Sequence, residues 1–215
     1  MSKVYLVVIL CTLLLFVSCN QSSNKSSSNN VDSVESKTIV TVDEGEMNTL
    51  SDVVIQFVNA YVNKDNHKVK RLIHPDLGLD IIYKPGVSNH FVHVDSLDFS
   101  KPVPDYYEYP EINSNFVLKY ESLPVFDCVN LQWNKTGLIC DTTSHPNVIS
   151  DIISFEKSFN TDNVADEEVI KIKNAEKETF CVILTSETPL VFHIRKYEGK
   201  WYVSAIDRSY GDCDA

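Results

Sequence analysis

No CxxC pair and no cluster of cysteine and histidine at metal-ligand spacing occurs in the 215 residues, which argues against a structural zinc site or a redox dithiol. No stretch carries a strong catalytic signature, and no metal or organic cofactor is implied. Basic residues are few: 19 Lys and Arg stand against 30 Asp and Glu, a formal charge of −11. Nucleic acid and anionic lipid are poor partners for such a field, and plain solubility accounts for the acidity. No apolar run reaches the roughly 20 residues of a membrane-spanning helix, and nothing marks a second domain.

What stands out instead is the alternation of apolar and polar residues from Glu178 to Asp207, ETFCVILTSETPLVFHIRKYEGKWYVSAID, the mark of half-buried strands. Glu198-Gly199 supplies the positive φ of a two-residue hairpin turn, which sets Tyr197 opposite Lys200, Ile194 opposite Val203 and Phe192 opposite Ala205. The connection from Thr185 to Pro189 sets Leu184 against Leu190, Val182 against Phe192 and Phe180 against Ile194. One apolar face therefore crosses a three-stranded meander, while the other face carries Cys181, His193, Arg195, Tyr202 and Ser204.

The beginning of the chain reads as an address. A basic start at Lys3, an apolar run from Val4 to Val17 and a small Ser18 before Cys19 form a secretory signal. LLFVSCN resembles a bacterial lipobox, and the resemblance implies cleavage before Cys19 and lipid on its sulfur and amino group. Loss of Lys3 with the leader brings the mature charge to −12. Asn20 to Asn30, NQSSNKSSSNN, and the polar chain to about Asn48 hold too little apolar surface to order, so they read as a flexible tether. Residues 1–18 are then the signal, 19–48 the lipidated Cys and tether, and 49–215 one domain of about 165 residues, enough for a proper core. Asn20 stands where lipoproteins kept in the inner membrane typically carry Asp, and no acidic cluster follows Cys19. Resemblance to those sorting rules implies the outer membrane, on its periplasmic face rather than the cell surface.

Within the domain, Thr49 to Lys64 has Leu50, Val53, Val54, Phe57, Val58 and Tyr61 at helical spacing, with Thr49 or Ser51 as cap. Asp65 or Asn66 caps a second short helix, which His74-Pro75 ends. LDIIYKPG and HFVHVDSL read as strands, and FSKPVPDYYEYP, between Asp98 and Pro110, as a surface segment that cannot be a central strand. Phe116 to Glu121 alternates. LQW-NKTG-LIC reads as a hairpin with Trp133 opposite Leu138, Leu131 opposite Cys140 and Cys128 opposite Thr143. Pro146 to Phe159 reads as a helix with Val148, Ile152 and Phe155 inward, and Val169 to Lys173 as an edge strand. The class is α+β: an N-terminal helix pair packed on a curved, mostly antiparallel sheet that ends in the meander.

Helix pair, strand and C-terminal meander resemble the nuclear transport factor-like, SnoaL-like cone fold, with FVNAYVNKDNHKVKRLIHPD as the matching helical stretch. The Tyr/Pro segment and the helix near residue 150 depart from that pattern. HPDLGLDIIYKPG, LPVFDCVNLQWNKTG and YEGKWYVSAIDRSYGDCDA together resemble an uncharacterised group of small Bacteroidetes lipoproteins, which implies a lipid-anchored envelope protein without implying any catalytic residue. Asp32-Ser33-Val34, Asp95-Ser96-Leu97 and Asp141-Thr142-Thr143 match the short acceptor pattern of Bacteroidetes O-glycosylation.

Four cysteines fall in the domain. The hairpin register disfavours Cys128 with Cys140, leaving Cys128 to pair with Cys213 or Cys181. Cys181 sits mid-strand, where bridging demands special geometry, whereas Cys213 lies on a tail with little apolar surface to dock it. Cys128 with Cys213 is therefore the expected bridge, and Cys140 and Cys181 are either a second bridge or buried thiols.

Two functions from different classes fit these residues. One is a non-catalytic binding module for a small molecule, glycan or protein, using Tyr106, Tyr107, Tyr109, Trp133 and Trp201 as contact aromatics. The other is a metal-free hydrolase or isomerase in which His74, Asp76 and His93 converge on a pocket. Cys181 opposite His193, with Ser204 on the far side, is the one nucleophile-and-base geometry the register builds. The lipobox makes a direct prediction. Cys19→Ser should move the protein out of the membrane fraction, and unchanged sedimentation with membranes would refute lipidation.

Overall fold

Thr49 opens the first helix because its hydroxyl accepts the Asp52 N–H at 3.2 Å while Asp52 returns a bond to the Thr49 N–H at 3.3 Å. In the computed structural model, which describes residues 49–112, 115–159, 164–210 and 213, that helix is α1, Leu50–Val62. It buries Val53, Val54, Phe57, Val58 and Tyr61. Asp65 caps α2, Asn66–Arg71, by accepting the Lys68 N–H at 3.0 Å. The expected signal and tether, with Cys19, lie outside the described residues, among which no helix is long and apolar enough to cross a membrane.

Strands follow in the order β1 Leu79–Tyr83, β2 His90–Val94, β3 Leu118–Tyr120, β4 Phe126–Asp127, β5 Gln132–Trp133 and β6 Leu138–Asp141. Helices α3, Val148–Ser158, and α4, Asp166–Glu176, precede the closing meander β7 Thr179–Leu184, β8 Leu190–Tyr197 and β9 Lys200–Asp207. Seven strands form one sheet in the order β2-β1-β9-β8-β7-β6-β3, antiparallel except for β1 with β9 and β3 with β6. This is the α+β arrangement read from the sequence, with the helix pair ahead of a mostly antiparallel sheet.

The central strands of the sheet are buried on both faces. On the first, α1, α2 and the segment around Phe99 and Tyr109 cover Leu79, Ile81, Leu138, Val182, Phe192, Ile194, Val203 and Ile206. Phe57 meets Phe192 there with ring centroids 4.6 Å apart. On the second, Ile149, Ile152 and Ile153 of α3 pack on Ile82 and Ala205, with Val169 and Ile172 of α4 beside them. A third cluster, Cys181, Ile183 and Val191, lies under Leu123, Trp133 and Tyr210. Glu176, buried at the end of α4, joins the two outer helices by accepting the Ile149 and Ser150 N–H groups at 2.9 and 3.1 Å, which places a carboxylate at the positive end of α3.

The meander keeps the expected register as far as Ile194 opposite Val203, and Glu198 and Gly199 both take positive φ in its turn. Beyond it a bulge leaves Ser204 without a partner, so Phe192 faces Ile206 rather than Ala205. The bulge turns both Val203 and Ile206 into the first core, which strict alternation forbids, and sends Ala205 to the second.

Three other expectations are corrected. The hairpin through Asn134 to Gly137 does not form: β5 pairs with β4, while β6 lies inside the main sheet between β3 and β7. Leu138 to Asp141 is buried on both faces and belongs in an interior strand, whereas Leu131 is 72% exposed and takes a positive φ. Val169 to Lys173 is helical, because Asp166, Glu167 and Glu168 in the first turn and Lys173 in the last suit the helix dipole, and Val169 and Ile172 share one face. In α3, Ile149 and Ile153 take the inward places beside Ile152, and Phe155 is 47% exposed against Phe159.

Cys128 and Cys213 are joined, closing a separation of 85 residues, and Cys140 and Cys181 are buried free thiols. Cys140 faces the first core and Cys181 the second side, so these neighbours in adjacent strands point away from one another and cannot bridge. Cys213→Ser should lower the unfolding free energy by about 2–4 kcal/mol, and no native-state maleimide label should reach Cys140 or Cys181. Non-reducing peptide maps that link Cys128 to Cys140, or leave Cys213 free in protein from an oxidising compartment, would contradict this.

Candidate functional site

β1 and β9 run parallel and end together, and β8 begins beside them, so Ile82, Asp207 and Val191 form one row at this edge of the sheet. The Arg208 N–H continues the row by donating to the Ile82 carbonyl at 2.8 Å. Its guanidinium then turns into the Tyr/Pro segment and donates to the carbonyls of Val103, Tyr107 and, at 2.7 Å, Glu108. The Tyr107 and Tyr109 rings lie 4.3 and 4.5 Å from the guanidinium carbon. A fixed fork of donors between two aromatic faces holds this irregular segment where it has no sheet of its own. Burial draws the Arg208 pKa down, while the surrounding phenols and Glu108 oppose that.

Between this segment, the β7–β8 turn and the residues after β9 lies a cleft of about 350 Å³. Tyr61, Tyr83, Tyr106, Tyr107 and Tyr210 line it, together with Lys84. Asp207 at its base is buried, and its carboxylate accepts both the N–H and the hydroxyl of Ser209, at 2.9 and 2.7 Å. Burial raises the pKa of Tyr61 and Tyr109, so both phenols stay neutral at ordinary pH, and the Tyr109 hydroxyl accepts the Val103 N–H at 3.3 Å. A second cavity, of about 670 Å³, borders the same β7–β8 turn from the other side, along Trp133, Thr136 and Gly137.

The five contact aromatics are divided by the fold. Tyr106 and Tyr107 line the cleft, and Trp133 lines the second cavity with its N–H held by the Ser186 carbonyl at 3.1 Å. Tyr109 is buried in the first core against Tyr61 and Phe99, so that part of the surface segment closes over the protein's own interior. Trp201 packs half-buried against Phe180, 5.5 Å away, beneath the Lys196 ammonium.

His74, Asp76 and His93 line neither of these cavities. The Asp76 N–H donates to His74 Nδ1 at 3.1 Å, and the His74 ring stands edge-on to Tyr197 and Tyr202. His93 pairs with Asp80 instead, at 2.9 Å, and its ring lies so close over Gly78 that a Cβ there would come within 2.5 Å of Nε2. Cys181 does face His193. Burial pushes the Cys181 thiol up and His193 down, which keeps both neutral, while the Ser204 hydroxyl donates to the His193 backbone carbonyl at 3.4 Å. A buried protonated thiol is no nucleophile. Of the acceptor triplets, Asp32-Ser33-Val34 lies outside the described residues; the Ser96 hydroxyl is buried, whereas Thr142 is exposed.

The sequence reading missed Arg208, Lys84 and Asp207 as site groups. The available signal was a lone arginine directly after an apolar strand, in a chain with three arginines and one Tyr/Pro-rich segment. Comparisons of the chain with protein-family models, curated proteins and solved structures find no match.

Arg208→Ala should cost about 3 kcal/mol: a bond to a charged group is worth about 1.5–3 kcal/mol, the Val103 carbonyl loses its donor where it is part-buried, and the exposed Tyr107 and Glu108 carbonyls turn to water instead. Arg208→Lys should recover little, because an ammonium lacks the planar fork. Denaturant unfolding followed by tyrosine near-ultraviolet dichroism reads both. An unfolding midpoint unchanged in Arg208→Ala would show that the segment is held by other means.

Proposed function

We propose that this protein is a lipid-anchored lipoprotein of the outer membrane, facing the periplasm, whose folded domain is a non-catalytic binding module with the tyrosine-lined cleft as its ligand site. The observation that supports it most is the state of the charged groups at the cleft. The guanidinium of Arg208 is engaged by three carbonyls and the Asp207 carboxylate by Ser209, so both are held as fixed walls of a recess. Aromatic walls with a few fixed polar groups and a volume near the lower bound of about 300 Å³ for ligand pockets suit one small ligand or the end of a larger one. The acid–base alternative requires His74, Asp76 and His93 to face one pocket, and none of them lines either cavity: the His74 ring stands against Tyr197 and Tyr202, and His93 pairs with Asp80.

Differential scanning fluorimetry against a mixed panel of saccharides, metabolites and peptides tests the reading. A ligand present at about a hundredfold its Kd should stabilise the fold by about 2.7 kcal/mol. Tyr106→Ala should weaken that effect by tenfold or more in affinity, and Phe159→Ala, exposed and outside the cleft, should leave it intact. Chemical turnover of the bound compound, or binding indifferent to Tyr106 and Tyr107, would overturn the proposal.

A further inference from the structure

The two cavities share Glu187 and Thr188, so both border the turn between β7 and β8, which stands as a ridge between them. That ridge is held from several directions. The Trp133 indole N–H is bound to the Ser186 carbonyl at 3.1 Å, the Thr185 N–H to the Gly137 carbonyl at 3.1 Å, and the Gly137 N–H to the Thr185 hydroxyl at 2.8 Å. A ridge fixed before binding costs no ordering when a ligand lies across it.

We infer that the double recess is a binding groove for a neutral oligosaccharide that crosses the β7–β8 turn, with one end against Tyr106 and the other beside Thr136. The inference rests on the binding-module reading and names its ligand class. Sugar rings combine an apolar C–H face with a rim of hydroxyls, and the groove presents the complement of both. Tyr106 is 69% exposed and has no ring partner among the described residues, which leaves its faces open for stacking. Around the ridge, Thr136, Thr188 and Asn115 offer neutral hydroxyl and amide groups, each able to donate and accept. Charges along the groove are of both signs, Lys84 and Arg208 beside Asp207, Glu187 and Glu111, which gives no single-sign field for a strongly ionic ligand. A peptide bound by strand addition would need a free edge here, and β8, which begins at the ridge, is paired on both sides by β7 and β9.

Isothermal titration calorimetry with linear gluco-, xylo-, manno- and N-acetylglucosamine oligosaccharides, from monosaccharide to hexasaccharide, tests this on the soluble Cys19→Ser chain. At least one series should bind, with affinity rising tenfold or more as the chain grows long enough to cross the ridge. Tyr106→Ala should weaken every member of that series. Thr136→Trp, on an exposed turn, should bring the hexasaccharide down to the affinity of the shortest binder and leave that binder unchanged. Affinity independent of length, or a Thr136→Trp effect equal on short and long chains, overturns the crossing geometry. No binding by any series, beside Tyr106-dependent binding of another compound class, overturns the saccharide assignment and leaves the binding module standing. Binding of saccharide that ignores Tyr106 overturns both.

Discussion

Strand β8 has to be buried on both faces, and most of the molecule follows from that constraint. Leu190, Phe192 and Ile194 look into the core under α1, while Val191 and His193 look the other way and are buried as well. A meander alone could cover one face only. The second face requires α3, α4 and the β4–β5 hairpin, and so the central half of the chain is spent on elements that dock behind the sheet. Burial on that side also determines the chemistry there. His193 and Cys181 are neutral where a half-exposed strand would have left them ready to titrate.

The cleft arises where this two-sided burial runs out, at the edge where β1, β9 and β8 meet. Beyond the last sheet row the backbone has no ladder to join, and Arg208 takes over by satisfying carbonyls of the Tyr/Pro segment. The same side chain therefore completes the fold and shapes the recess. Its aromatic neighbours serve both ends: Tyr109 fills the core, Tyr107 faces the guanidinium, and Tyr106 remains open to solvent. The Cys128–Cys213 bridge does comparable work on the second side, tying the exposed β4–β5 hairpin to the chain end where Tyr210 lies parallel to Trp133.

The residues by themselves determined the helix pair, two candidates for each of its caps, the strand after it and the meander with its turn, because these depend on local periodicity and turn chemistry. They also led to the Cys128–Cys213 pair, although by a hairpin register that does not exist; the reason Cys140 is excluded is its burial inside the sheet against the first core. Tertiary structure alone decided the rest. Burial on both faces made LICD an interior strand, and the uncovered second face of the sheet drew VIKIK into a helix that turns only Val169 and Ile172 inward, since the alternation along either segment does not show what lies on its two sides. The bulge at Ser204 was decided by the shape of two cores, not by alternation along one strand. The site, finally, joins Arg208 to residues about a hundred positions earlier, and no spacing along the chain encodes which irregular segment a lone arginine will reach.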